Sequence, residues 1–515
     1  VQSIGWWRWR FVLPVAGVLA VAGGTLARAD SGVTRVTEED PYAGCTLGAP
    51  GFNYHSAETE PYVAVNPRDD DNLIGVFHQD RWDNGGAHGV AAAFTTNGGE
   101  DWTTTKLPLD TCGGGLHYQR ASDTWVSFGP DGTAYVNALS FDQTTARSAV
   151  SAAVSTDRGR TWIRAQTVIA DDNIDIFNDK NSITADPVHP GVAYSVWDRV
   201  NVARNNQPAY FSKTTDWGRT WSTPVAITSN ARNVGTIGNI IVVDPRHDTL
   251  YDVFDNFTFN PDGSIKTQEE SVMRSNDGGA TWSSPVGIAA DEDIGVFDPV
   301  TGAFIRTGSG LPDVAIDAAT GQLYVVWEDS RFSGGAYDEV ALSTSTDGGA
   351  TWSAPSRVNK PTGLPAVTPM VAVAHDGTVG VSYYDYRTFN YPTTDPRTLP
   401  TTFWLTTSRR GGGSFGHEDA VIHTPFDTLG APVAGGYFLG DYSGLAASGE
   451  TFFLFFGQTT GTESHEADPQ NRTDIFFRAI DSDVSDVNVT AGPAPAFSAP
   501  ARGSVQQGRT AHRAF

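Results

Sequence analysis

The chain has 515 residues, with 34 Lys+Arg against 59 Asp+Glu, for a formal net charge of −25. So acidic a protein is excluded from binding nucleic acid or an anionic membrane, since both require a basic surface. Hydrophobic residues make up 39%, including 14 Trp, 16 Tyr and 27 Phe, while 55 Gly and 29 Pro make the chain turn-rich, so bulk disorder is excluded and an all-β fold is indicated.

In chain order, Arg8 and Arg10 precede an apolar run at 11–26 that is short for a membrane span and is broken by Pro14 and glycines. Ala27-Arg28-Ala29 then reads as a cleavage site, so 1–29 is expected to be a signal peptide and the mature protein secreted. Residues 30–57 form an N-terminal arm. The two cysteines, Cys45 and Cys112, lie in Gly-rich segments without C-x-x-C spacing, and in an oxidising compartment they are expected to pair as a disulfide.

From residue 58 a pattern repeats. Ser/Thr-x-Asp-x-Gly-x-Thr-Trp occurs as STDRGRTW (155–162), TTDWGRTW (214–221), SNDGGATW (275–282) and STDGGATW (345–352), with a weaker copy TTNGGEDW (95–102) and a decayed one at 407–415. The Ser/Thr and Asp side chains suit bonding to loop backbone N–H groups, the Gly permits positive φ, and the Trp is expected to pack beneath its own turn. Ahead of each loop stand two β-runs, the second ending in an aromatic and an acid. Its marker positions are Asp80, Asp142, Asp198, Asp255, Asp329, Asp385 and Gln458, which counts seven units. Each unit supplies four strands, the composition of a propeller blade, and a period of about 60 residues marks a repeat architecture.

On these loops the chain resembles the BNR/Asp-box repeat family, whose best-known enzymes are sialidases (neuraminidases), over about residues 58–480. The resemblance implies a β-propeller at 58–485. Seven blades are favoured by the count of units and six are the alternative; residues 33–37 would close the ring as the last blade's outer strand. The tail at 486–515 is rich in Pro, Ala and Gly and is expected to be disordered.

In such a fold the Asp boxes occupy one face, joining third and fourth strands, and function is expected on the other, where loops ride on a rigid scaffold. That face carries, after the second strands, Arg81, Arg199, Arg331 and Arg387 beside the repeated acids. Ahead of the first strands it carries Glu60, Arg120 with Asp123, Asp179-Lys180, Asp313 and Asp441-Tyr442. Long connections at 107–122, 286–310 and 423–440 are expected to wall a pocket there. The repeated acids read first as structural, pairing with arginines of neighbouring blades. Sialidase-like catalysis uses an arginine triad, an Asp acid/base and a Tyr activated by Glu. By their place on this face and their residue types, Asp123, Asp441, Tyr442 and Glu60 are the candidates for catalysis, and Arg81, Arg120, Arg199, Arg331, Arg387 and Lys180 for substrate binding; no triad is carried over from the family residue by residue. Arg120, Asp123, Asp441 and Tyr442 are expected in exposed loops, at little cost to stability. The Arg-Ile-Pro tripeptide of sialidases is absent from the sequence.

The leading functional expectation is a secreted, glycan-directed propeller acting as a sialidase-like exo-glycosidase on terminal acidic sugars. The alternative is a non-catalytic propeller binding glycan or protein through the same face. Arginines converging on one pocket would favour the enzyme, and arginines paired within their own blades the binder. No cofactor and no metal site are expected, apart from structural calcium at the acidic stretches 68–72 or 171–181, neither of which has EF-hand spacing. The partner is a glycan or glycoconjugate, with no nucleic acid and no membrane insertion, and the protein is expected to be a monomer.

Overall fold

A computed structural model of the chain describes residues 32–482, apart from 49, 391–392, 410 and 461–470. The expected signal peptide and tail lie outside the described residues. The protein is all-β: among the described residues the helical segments are three short 3₁₀ turns. No helix among them is long and apolar enough to cross a membrane.

Among the described residues most strands fall into seven four-stranded antiparallel units. The first is Thr59–Val65, Leu73–Trp82, Ala87–Thr95 and Thr103–Lys106, each strand pairing with the next. The first strands of the following units are Arg120–Phe128, Ile176–Ala185, Val234–Asp244, Asp313–Ile316, Ala366–Val373 and Gly444–Ser448. In each unit the second strand is the most deeply buried: Leu73–Trp82 and Leu323–Asp329 are covered along their whole length. A strand buried on both faces reads as a nearly continuous apolar run, as LYVVW does.

The first strand of each unit lies against those of its sequence neighbours, and that of the seventh lies against that of the first. The seventh unit lacks a fourth strand of its own. Thr34–Arg35 supplies it, pairing with Phe476 and Phe477 of Thr473–Asp481. Thr37 Oγ1 and the Arg35 guanidinium both donate to Asp474 (3.1 and 2.7 Å). Cys45 and Cys112 are joined, with Cα atoms 5.7 Å apart. The bond ties the arm to the connection between the first two units.

The repeated loops join third to fourth strands, and four of them share one set of bonds. Ser155 Oγ donates to Asp157 (2.9 Å) and accepts from Gly159 N (3.0 Å), while Asp157 accepts from the Thr161 N–H and hydroxyl (2.9 and 2.6 Å). The same bonds recur at 214–220, 275–281 and 345–351. The Trp, however, does not pack beneath its own turn. Trp102 meets Phe477 of the seventh unit at 5.1 Å, Trp282 of the fourth unit meets Phe211 of the third at 5.7 Å, and the indole N–H of Trp162 donates to Thr105 of the first (3.2 Å). The loop glycine makes the same crossing: a Cβ on Gly99 would stand 2.0 Å from Phe477. Each loop is thus a clasp on the preceding unit, because the turn projects its apolar side towards that neighbour's sheet.

Candidate functional site

The first strands carry a second repeated device. In five units the register slips by a bulge, between Thr59 and Tyr62, Ser122 and Trp125, Asp179 and Ser182, Ile237 and Ile240, and Val367 and Met370. The first residue inside each bulge has positive φ: Glu60 (53°), Asp123 (48°), Lys180 (43°), Gly238 (72°) and Thr368 (53°). For a non-glycine residue that conformation costs about 1–3 kcal/mol, and such strain clusters at functional sites. Bulges re-aim side chains, and here they bring Glu60, Asp123 and Lys180 together with Asp441, which stands just ahead of the seventh unit's first strand.

Lys180 is the hub. Its Nζ lies 2.5 Å from Asp441 Oδ2, 3.2 Å from Asp123 Oδ2 and 3.5 Å from Glu60 Oε1. Arg306 clamps Asp441 from the other side, Nε donating to Oδ1 (2.9 Å) and Nη2 to Oδ2 (2.5 Å). His78 Nε2 lies 2.8 Å from Glu60 and 2.7 Å from the Asp123 backbone N. Protonated at Nε2 the ring donates to Glu60; protonated at Nδ1 it accepts from Asp123 N and donates to Thr59 Oγ1 (3.2 Å).

The same pocket holds carboxyls in opposed states. Burial pushes Glu60 up, but Lys180 and then His78 outweigh it and hold the carboxyl well below the usual range. Asp441 is likewise raised by burial and brought below its ordinary value by Arg306 and Lys180. Asp179 goes the other way: burial, with the Asp123 charge added, raises it to about 7 against the pull of Lys180. Lys180, disfavoured by burial, is held firmly protonated by Asp123, Asp441 and Glu60.

These groups floor an open pocket whose walls include Phe141, Phe177, Phe257, Phe259 and Phe304. Two of the three long connections build its rim together. Phe304–Arg306, from 286–310, pairs in parallel with Tyr437–Phe438, from 423–440, and antiparallel with Val296–Phe297. The Arg306 guanidinium sits 4.4 Å from the Phe438 ring centre. The third, 107–122, holds Cys112 and the buried Asp110.

The residues nominated from sequence divide. Glu60, Asp123, Lys180, Asp441 and Arg81 meet at the pocket. Tyr442 lines an adjoining cavity that shares Asp123, Lys180 and Asp441 with the pocket, its ring 5.4 Å from that of Trp125. Burial, then Glu60, Asp123 and Asp441, push its hydroxyl well up. Arg120 turns away from the pocket, donating to Asn84 and to the Gly85 and Pro50 carbonyls, with Trp82 stacked at 4.4 Å. Arg199 pairs with Asp171, Arg331 with Asp329 and Arg387 with Asp385. The last two stay within their own units, two residues from their partners, because the turn after the second strand folds the guanidinium back onto the strand's own acid. Arg199–Asp171 does join neighbouring units, the third to the second, but Asp171 is not one of the repeated acids. Of those acids Asp198 reaches the next unit without an arginine, accepting from Thr236, Asn239 and the Gly238 N–H.

The expectation of exposed loops fails for Arg120, Asp123, Asp441 and Tyr442, all of which are buried. In the stretches 68–72 and 171–181, Asp69 pairs with Arg158, Asp70 accepts from Ser448 and Asp171 pairs with Arg199. Sequence reasoning missed Arg306, which lies in no repeat; its one signal was membership of the long connection 286–310.

The sequence matches no family model and no curated protein. Among solved structures the chain is similar to an α-L-arabinanase of Penicillium chrysogenum (10% identity, 84% of this chain and 96% of that one, TM-score 0.43). It is also similar to the α-L-arabinofuranosidase Arb93A of Fusarium graminearum (14%, 74% and 98%, 0.45) and to the Hadza microbial sialidase Hz136 (14%, 78% and 75%, 0.43). Likeness at this level identifies no residue's role.

Proposed function

We propose that the seven units are the blades of a closed propeller, exported to an oxidising compartment, which hydrolyses a glycosidic bond in the pocket floored by Lys180. The observation that carries this reading is the pair of opposed carboxyl states. Asp179, raised to about 7, is a proton donor near neutral pH, while Asp441 and Glu60 remain ionised beside it. Neighbouring titratable groups whose environments drive them apart mark an acid and a base. Asp179 then protonates the leaving oxygen. Asp441, oriented by the Arg306 fork, faces the sugar as the ionised partner that accepts a water proton or stabilises the developing positive charge. Lys180 sets the spacing of the carboxylates, and the phenylalanine walls cover the apolar face of a ring and exclude water.

A neutral sugar fits this floor better than an acidic one. Recognition of a sugar carboxylate calls for open arginine forks. The Arg306 fork is closed on Asp441, and Arg199, Arg331 and Arg387 are engaged with Asp171, Asp329 and Asp385. A Tyr nucleophile is also poorly served, because the Tyr442 hydroxyl is held protonated. The engaged arginines equally favour a second reading, a propeller that binds a glycan without cleaving it.

The deciding experiment is a screen of the mature chain against chromogenic neutral furanosides and pyranosides, with a sialoside alongside. Turnover of a neutral glycoside supports the enzyme, turnover of the sialoside alone overturns the neutral-sugar assignment, and glycan binding without turnover establishes the second reading.

A further inference from the structure

The fourth unit contains a second acidic cluster at the edge of the pocket. Asp255 closes the apolar part of its second strand, and Glu270 stands directly across from it on the third. Like charges directly opposed on a sheet are unfavourable. Asp291 follows the fourth strand, Val286–Ala290, and opens the remainder of the long connection that leads to Arg306. One oxygen from each of the three carboxyls lies within 4.8 Å of the other two.

Glu270 makes this more than a solvated acidic turn. It is fully buried, and neither of its carboxylate oxygens has a hydrogen-bond partner. A buried ionised group without a partner is costly enough that proteins neutralise it or pair it. Burial pushes its carboxyl well up, and the charges acting most strongly on it, Asp255, Asp291, Asp293 and Asp329, push the same way. The cluster is also framed. The Gln268 amide donates to Asp255 Oδ2 (2.8 Å) and to Asp291 Oδ2 (2.5 Å), tying the two carboxyls together. Gly310, with φ of +80°, packs over that bridge so closely that a Cβ there would stand 2.9 Å from the Gln268 amide nitrogen and 3.1 Å from Asp291 Oδ2.

We propose that Asp255, Glu270 and Asp291 bind one calcium ion, which anchors the connection carrying Arg306 to the fourth unit. Three carboxylates offer the hard oxygen donors that calcium takes, mono- or bidentate and in flexible geometry; magnesium demands a stricter octahedron and keeps its waters. A divalent cation relieves the like-charge pair across the strands and supplies Glu270 with the partner it lacks. It joins the second and third strands to the segment after the fourth, and so stiffens the base of the rim that holds Phe304 and Arg306.

The test uses the full mature chain, treated with a chelator and desalted. Elemental analysis after dialysis against micromolar calcium is expected to give about one calcium per chain, within the normal stoichiometry of such sites. The melting temperature should rise on adding CaCl₂ and rise less with MgCl₂ at matched ionic strength. In Glu270→Gln and Asp291→Asn both the bound calcium and the calcium-dependent rise should disappear. Without calcium, Glu270→Gln should melt no lower than the parent, because it removes a buried unpaired acid while keeping its shape. Absence of stoichiometric calcium in the parent overturns the proposal. So does a calcium-dependent rise that survives in Glu270→Gln, which would put the ion elsewhere, and so does an equal response to magnesium. If Asp291→Asn does not fold, the parent and the isosteric Glu270→Gln still decide.

Discussion

The repeated loops and the bulges of the first strands are both periodic, but they repeat different things. In the loops the side chains recur: Asp157, Asp216, Asp277 and Asp347 each accept from a Thr hydroxyl four residues on and from a Ser or Thr hydroxyl two residues back, at nearly the same distances. In the bulges the backbone recurs while the side chain changes, from Glu60 to Asp123, Lys180, Gly238 and Thr368. A side chain that recurs serves what every unit needs, the clasp on its neighbour. A backbone device that recurs with unlike side chains gathers different chemistry at one place. The loops lie exposed and their aspartates are held ionised; the bulges are buried, and their surroundings raise Asp179 while lowering Glu60 and Asp441.

The largest expected effect breaks the chemistry and leaves the frame. Asp179→Asn should lower kcat by about 10²–10⁴-fold, the usual worth of a positioned general acid. KM should change little, and the limb of the pH profile near 7 should vanish. An unchanged profile in a folded variant would remove Asp179 from the reaction.

Next comes the hub. Lys180→Met leaves Glu60, Asp123 and Asp441 without their shared cation, and stripping one partner from a buried ion pair typically costs about 3–5 kcal/mol. Urea unfolding should show that loss, together with loss of glycan binding. A variant as stable as the parent would mean that the cluster is far wetter than its burial implies.

The two regions should also titrate in opposite senses. Asp179 and Asp313, both raised to about 7 chiefly by burial, keep protons in the folded state that the unfolded chain has already released. Between about pH 4 and 7 the folded state therefore holds more protons, and stability falls as pH rises. Asp277 and Asp347, lowered to about 2 by the Thr281 and Thr351 hydroxyls, contribute stability above about pH 4 that is lost as pH falls towards 2. Calorimetry across this range should find a maximum in melting temperature between the limbs. Asp179→Asn should make only the upper limb shallower, with Asp313 keeping part of it, and a change in both limbs would collapse the distinction.

The smallest effect tests the clasp. Ser275→Ala removes the hydroxyl that serves both Asp277 and the Gly279 N–H, and should cost about 0.5–1.5 kcal/mol by urea unfolding. Turnover at saturating substrate should stay at the parent value; a fall in a folded variant would mean the loops bear on the site.

The loops were legible because their spacing and their Asp, Gly and Thr chemistry are local. What lay beyond one unit was not, so the Trp was assigned to its own turn, and only the assembled neighbours show it reaching Phe477 or Phe211. Glu60, Asp123, Lys180 and Asp441 were legible as unlike residues at a common place ahead of the first strand. Arg199, Arg331 and Arg387 misled, because an arginine after a repeated acid has the right type for a site and the right geometry to fold back on that acid. Arg306 and Glu270 stayed hidden for opposite reasons. One lies in a connection with no periodicity to align, and the other is a single acid in a strand, whose opposition to Asp255 exists only once the register is set.

The strand at Thr34–Arg35 is made first and placed last. The Arg35 guanidinium pairs with Asp474, 439 residues further on, so the final sheet cannot be completed until almost the whole chain has left the ribosome. At synthesis rates of about 5–20 residues per second that interval is tens of seconds. Throughout it the leading strand has no partner, because Thr473–Asp481 has yet to be made. Completion of the seventh sheet therefore reports that residues 34–35 and 473–481 are both present, whatever has folded between them.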